Sequence, residues 1–191
     1  LLVEALRYLY LIEYSDRASK APRPIGAPLN VLAMGDYALE NTQLQMRLLE
    51  QAASLLPKNT VFVIKPHPHC PVKPLDYPGV SVTVSMEPLS VLLAKCDVAY
   101  SSGVTSAAAE ASCAGVPVIS VLDPAKLNMS PLRGFAGASF VTTPKELADA
   151  LILDTTPLTQ SATPPNFFCL DSTLQRWRGA CIGRVEKSAK K

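Results

Sequence analysis

Short apolar segments alternate with helical ones along most of this chain, and no other feature constrains its fold so tightly. Residues 31–34, 61–64, 80–84, 97–100, 117–122 and 139–142 read as strands. Helices are predicted over 41–56, 88–95, 104–114 and 144–153, the last opened by the pair Thr143-Pro144. Strands that are apolar on both faces, with helices between them, imply a parallel sheet covered on both sides. Right-handed crossovers make such a sheet doubly wound and Rossmann-like, an α/β fold.

The flanks read differently. Leu2, Ala5, Leu6, Leu9 and Ile12 repeat at helical spacing, and Leu174, Trp177 and Cys181 do the same near the other end. Pro22, Pro24, Gly26 and Pro28 mark a linker. The division expected is a helical segment at 1–20, a linker at 21–29, the sheet domain at 30–154, a connector at 155–170, and a terminal helix and tail at 171–191.

Composition excludes several classes. Charged residues make up 18% and the net charge is +2, with no basic stripe to drive binding to a phosphate backbone, so no nucleic-acid partner is expected. Five cysteines, none in a Cys-x-x-Cys pair, disfavour a disulfide framework or zinc knuckle and fit a reducing compartment. Ser, Gly, Glu110 and Pro117 interrupt the longest weakly charged stretch, residues 98–122, so no transmembrane segment is expected. The chain begins with Leu1 rather than Met, which suggests a piece of something longer.

In an open parallel sheet, ligands bind beyond the carboxyl ends of the strands. Gly35 follows the first strand, where a backbone can approach a ligand closely or turn. No Gly-x-Gly-x-x-Gly is present, which argues against a nicotinamide or flavin dinucleotide. Lys65-Pro66-His67-Pro68-His69 follows the second strand, with two prolines fixing the backbone around His67. A metal bound by His67 and His69 lacks a third ligand nearby, so no metal is expected. Ser101, Ser102, Gly103, Thr105 and Ser106 lie between a strand and a helix, where unpaired N–H groups attract anions and Ser102 or Gly103 would cap. Glu110 sits inside an alanine-rich helix and needs a partner: ribose hydroxyls, a salt bridge or solvent. Ser85 and Glu87, at another strand end, are candidates for contacts to a base.

The run Glu110-Ala-x-x-Ala-Gly115-Val-Pro117-Val-Ile119 resembles the nucleotide-binding half of GT-B glycosyltransferases. The resemblance implies that Glu110 contacts the donor ribose; the second glutamate usual in UDP-sugar enzymes falls here on Ser102. Lys65-Pro-His67-Pro68 with Ser101-Ser102 is similar to the motifs of bacterial sialyltransferases, polysialyltransferases and Kdo transferases, and CDP-glycerol glycerophosphotransferases share Lys-Pro-His-Pro. The segments 122–134 and 167–178 further resemble bacterial surface-carbohydrate biosynthesis proteins.

These resemblances imply a donor-binding half of a glycosyltransferase, using a CMP-sugar without a metal. His67 would be the donor or general acid at the leaving phosphate, with Lys65, Pro68 and the 101–106 loop around it. The glycan acceptor and the catalytic base would belong to an N-terminal domain, so this piece alone would bind nucleotide weakly and catalyse nothing. The location expected is cytoplasmic or peripheral at the inner face of a membrane. Alternatives are a UDP-sugar 2-epimerase-like domain, a CDP-glycerol glycerophosphotransferase domain and a non-catalytic nucleotide-binding module.

Overall fold

The computed structural model describes residues 2–14, 24, 26–135, 137–153 and 167–188, with side chains given to residue 181. Six parallel strands form one sheet: β1 (Asn30–Met34), β2 (Val61–Lys65), β3 (Val82–Val84), β4 (Val98–Ser102), β5 (Val118–Val121) and β6 (Ala138–Val141). Their order is β3-β2-β1-β4-β5-β6, so the direction of winding reverses between β1 and β4. That reversal opens a crevice at the carboxyl ends of these two strands. The expected doubly wound sheet is what the chain forms.

Alternation along β1 divides the core. Val31 and Ala33 pack with Met46, Leu49, Tyr100 and Leu147 beneath helices α1 (Leu39–Ala53) and α4 (Pro144–Leu153). Leu32 and Met34 point the other way, toward Leu93, Ala111 and Leu132, beside α2 (Leu89–Lys95) and α3 (Ser106–Cys113). A fifth helix, α5 (Gln175–Ser188), follows Leu174, whose φ is +55°.

The sequence most reminiscent of a family is partly a helix stop. Gly115 has φ +70°, its N–H donates to the Ser112 carbonyl, and the Val116 N–H donates to the Ala111 carbonyl. That is a Schellman cap, and it requires a residue without a Cβ penalty at Gly115. Pro117 then enters β5 with no helix to continue.

The flanks depart from expectation. Leu6–Tyr14 is a 3₁₀ helix, not an α-helix. At three residues per turn its inward face carries Tyr8, Leu11 and Tyr14, which pack on the α2–α3 side of the core; Leu2 and Leu6 are exposed. At the other end, Leu174 precedes α5 rather than starting an apolar stripe, and Cys181 is exposed. Residues 21–23 and 25 of the expected linker, residues 155–166 of the expected connector and the tail from 189 lie outside the described residues.

The two flanks hold each other. The Glu4 carboxylate accepts hydrogen bonds from the backbone N–H groups of Arg176 (2.9 Å) and Trp177 (3.0 Å). It thus caps the first turn of α5, where a negative charge complements the helix dipole. The Trp177 indole donates to the Glu4 carbonyl at 2.8 Å, and the Tyr8 and Phe168 rings stack with centroids 3.9 Å apart.

Candidate functional site

Register brings the candidate residues to one edge. Met34 pairs with Lys65 on β2 and with Ser101 on β4, so the next residues along, Gly35, Pro66 and Ser102, lie side by side at the strand ends. The reason for a glycine at 35 is this crowding. A Cβ there would lie 3.1 Å from the His67 nitrogen and 3.2 Å from Pro66 Cα. Gly35 does not adopt a positive φ; the backbone it approaches is that of the neighbouring loop, tied by its N–H to the Lys65 carbonyl at 2.9 Å.

His67 is half-buried and held by its own loop. The backbone N–H of His69 donates to His67 Nδ1 at 3.2 Å, and the Cys70 N–H donates to the His67 carbonyl at 2.9 Å. An acceptor at Nδ1 assigns the proton of the neutral ring to Nε2, the nitrogen left to donate. His69 stacks on His67 at 5.5 Å between centroids, while Pro68 is exposed. Lys65 does not face the crevice alone: its ammonium donates to the Glu87 carbonyl at 2.7 Å. Ser85 Oγ accepts from the Glu87 N–H at 3.3 Å, and the Glu87 carboxylate pairs with Lys95 at 2.9 Å. The candidates Ser85 and Glu87 therefore brace the end of β3 against β2.

The four hydroxyls of the 101–106 loop separate. Ser101 and Ser102 are adjacent on a strand and point to opposite faces. Ser101 is fully buried and its hydroxyl shares a 2.9 Å hydrogen bond with that of Ser120 on β5, so it is turned away from the crevice. Thr105, rather than Ser102 or Gly103, caps α3, its hydroxyl accepting from the Ala107 N–H at 3.2 Å. Ser106 is exposed. Ser102 donates its proton to the carboxylate of Asp36.

Asp36 belongs to the strand end Gly35-Asp36-Tyr37, to which the sequence alone assigned no role beyond that of Gly35. It is 2% exposed, and besides Ser102 its carboxylate accepts from the Ala38 N–H at 2.9 Å and the Asn41 side-chain amide at 3.2 Å. Its own N–H donates to the Thr42 hydroxyl at 3.0 Å. An aspartate between a strand end and a helix start was the available signal, since such residues bond their own backbone two positions on.

Glu110 is likewise occupied. It is 4% exposed, accepts a 2.7 Å hydrogen bond from the Tyr10 hydroxyl and lies 3.7 Å from the Arg7 guanidinium. The 3₁₀ helix covers it, so a salt bridge and a phenol, not a free face, are its partners here.

A concave surface lies beside Ser102. A cleft of about 410 Å³ opens between the start of α1 and the 122–129 loop, with Ser102, Gly103, Asn41, Asp123 and Lys126 among its lining residues. His67 and Glu110 are not in its wall. Among the described residues, no group of three or more His, Cys, Asp or Glu could hold a metal ion, and no helix is long and apolar enough to cross a membrane.

No protein-family model matches the chain, and no curated protein matches it. Solved structures do. The UDP-GlcNAc 2-epimerase of Methanocaldococcus jannaschii, solved with UDP-GlcNAc and UDP, aligns over 95% of this chain and 54% of its own, with TM-score 0.63 and 10% identity. The Acinetobacter baumannii MurG aligns over 90% and 53%, with TM-score 0.53 and 16% identity. The kitacinnamycin glycotransferase aligns over 75% and 40%, with TM-score 0.53 and 21% identity. The chain thus spans about half the length of these proteins, and it has the fold of one Rossmann-like half of the GT-B glycosyltransferases and epimerases.

Proposed function

We propose that this chain is the donor-binding half of a glycosyltransferase and holds a nucleotide-sugar across the carboxyl ends of β1, β2 and β4. The observation that carries the reading is His67, whose Nδ1 is taken by the His69 N–H, leaving Nε2–H as a fixed donor at the strand ends. As a glycosidic bond to phosphate breaks, charge grows on the leaving phosphate, and donors already in position stabilise it. His67 Nε2 and the N–H groups from Gly103 to Thr105 are those donors, beside the positive end of α3.

The finer reading follows the Lys65-Pro66-His67-Pro68 resemblance: a CMP-activated sugar, no metal, a role in bacterial surface polysaccharide synthesis at the cytoplasmic side of a membrane, and a glycan acceptor bound by a further N-terminal domain. A second reading, a UDP-sugar 2-epimerase-like half, is favoured by Ser101, whose burial removes one of the two serines on which the CMP resemblance rests. Ribose contact by Glu110 requires residues 6–14 to release it.

Calorimetry of the chain against CMP, CDP, UMP and UDP tests the proposal and separates the readings. One of these nucleotides should bind, and His67→Ala should weaken it roughly tenfold or more, as expected for a lost hydrogen bond to a charged group. Undiminished binding by His67→Ala removes His67 from the site, and no binding by the wild-type chain sinks the reading.

A further inference from the structure

The pairing of Ser102 with Asp36 changes what the cleft can accept. A serine hydroxyl has one proton and two lone pairs. That proton is directed to a buried carboxylate, so Ser102 meets a ligand with lone pairs alone. An ionised phosphate or carboxylate offers only acceptors and gains nothing there. Rotating the hydroxyl toward such an anion would strip a donor from buried Asp36, which is costly for a charged group.

The rest of the wall has the same sign. Lys126 is the cation among the lining residues, and it lies 3.5 Å from Asp123 and 3.8 Å from Glu40, two carboxylates that also line the cleft. With Asp36 one hydrogen bond behind the wall, acidic groups outnumber basic ones. Leu44, Val104 and Leu127 supply apolar surface for the carbon face of a ring.

We propose that Asp36 is a positioning residue that makes Ser102 a hydrogen-bond acceptor, so that the cleft takes an uncharged, hydroxyl-bearing sugar and rejects an anionic one. This rests on the nucleotide-sugar reading and takes the side of its UDP-sugar form, because the sialic acid and Kdo of the CMP resemblance both carry a carboxylate. The phosphate is left to His67 and the start of α3, and the sugar class becomes neutral rather than acidic.

The test uses donors that differ by one group. UDP-glucose and UDP-glucuronate differ in a hydroxymethyl against a carboxylate, and CMP with CMP-N-acetylneuraminate provides an anionic-sugar arm for a CMP-binding chain. Calorimetry on the whole chain should show UDP-glucose binding about tenfold more tightly than UDP-glucuronate, or CMP-N-acetylneuraminate more weakly than CMP, the scale expected of built-in repulsion.

Asp36→Asn should bring either ratio within about threefold of one, because the amide removes the charge and can return the serine proton to the cleft. Ser102→Ala should weaken UDP-glucose more than it weakens UDP, because only the sugar loses a hydrogen-bond acceptor, whereas general loosening would weaken both alike. Anionic and neutral sugars bound equally by wild type, or a ratio that Asp36→Asn does not move, overturn the inference while leaving nucleotide binding intact. A chain that binds no nucleotide overturns the proposed function and this inference together.

Discussion

The Tyr10 hydroxyl donates a 2.7 Å hydrogen bond to the carboxylate of Glu110, one hundred residues along the chain. Glu110 is the residue that resemblance assigns to a ribose, and here the N-terminal 3₁₀ helix holds it. Tyr14 adds a hydrogen bond to the Ser90 carbonyl, and Leu11 is buried beside it, so the segment is anchored at several points.

Tyr10→Phe removes a hydrogen bond to a buried charged group and should cost about 1.5–3 kcal/mol. For a chain of this size each kcal/mol lowers Tm by about 2–4 °C, measurable by thermal unfolding. Because Glu110 is covered, Glu110→Gln should leave nucleotide affinity within about threefold of wild type, judged against the tenfold scale of a lost charged contact. A much larger loss of affinity would show that the helix releases Glu110 to ligand.

Tyrosine burial fixes the alkaline limit. Burial and the adjacent Glu110 carboxylate raise the Tyr10 pKa far above its ordinary value, and complete burial raises that of Tyr100 as well. The folded state then keeps protons that the unfolded chain releases above about pH 10. Stability is intact below that pH and should fall as pH rises beyond it, by up to about 1.4 kcal/mol per pH unit for each such tyrosine. Denaturant titrations between pH 8 and 11.5 should show the decline, less steep in Tyr10→Phe.

Glu4 sets the acid limit of the terminal contact. Burial alone would raise its pKa, but the N–H groups of Arg176, Glu4 itself and Trp177 outweigh that and hold the carboxyl below its usual value. The bond is therefore fully present above the ordinary glutamate pKa and lost as pH falls through the depressed one. Trp177 fluorescence should shift toward that of exposed indole as the pH is lowered below about 4, and Glu4→Gln should remove the pH dependence of the shift.

Gly35→Ala tests the crowding of the strand ends. The new Cβ meets backbone of His67 and Pro66, which has no free rotamer to yield, so the loop must shift by tenths of an ångström. Nucleotide affinity should fall more than tenfold, since small misplacements of a fixed donor are costly, while the thermal midpoint moves by only a few degrees. Equal affinity would show that the position of His67 does not matter to binding.

Apolar runs and their spacing determined the strands and the parallel sheet, because a strand covered on both faces is apolar along most of its length, with the buried serines Ser101, Ser102 and Ser120 as exceptions. The boundary between the helix over 104–114 and the strand over 117–122 was legible too, where Gly115 and Pro117 punctuate the chain. Periodicity failed at residues 1–14, where the choice between 3.6 and 3.0 residues per turn was made by packing on the α2–α3 face.

The chemical assignments needed tertiary structure most. Nothing in the run Ser101-Ser102 distinguishes two neighbouring hydroxyls, yet strand alternation gives one to Ser120 and the other to Asp36. Nothing near Glu110 announces Tyr10, whose approach depends on a chain reversal a hundred residues away. The sequence by itself determined which residues stand at the carboxyl ends of the strands; only the folded chain decided which of their side chains are left facing outward and which protons they have left to give. Strand and helix patterns follow from neighbours a few residues apart, whereas the pairing of polar groups is settled among residues that meet only when the core closes.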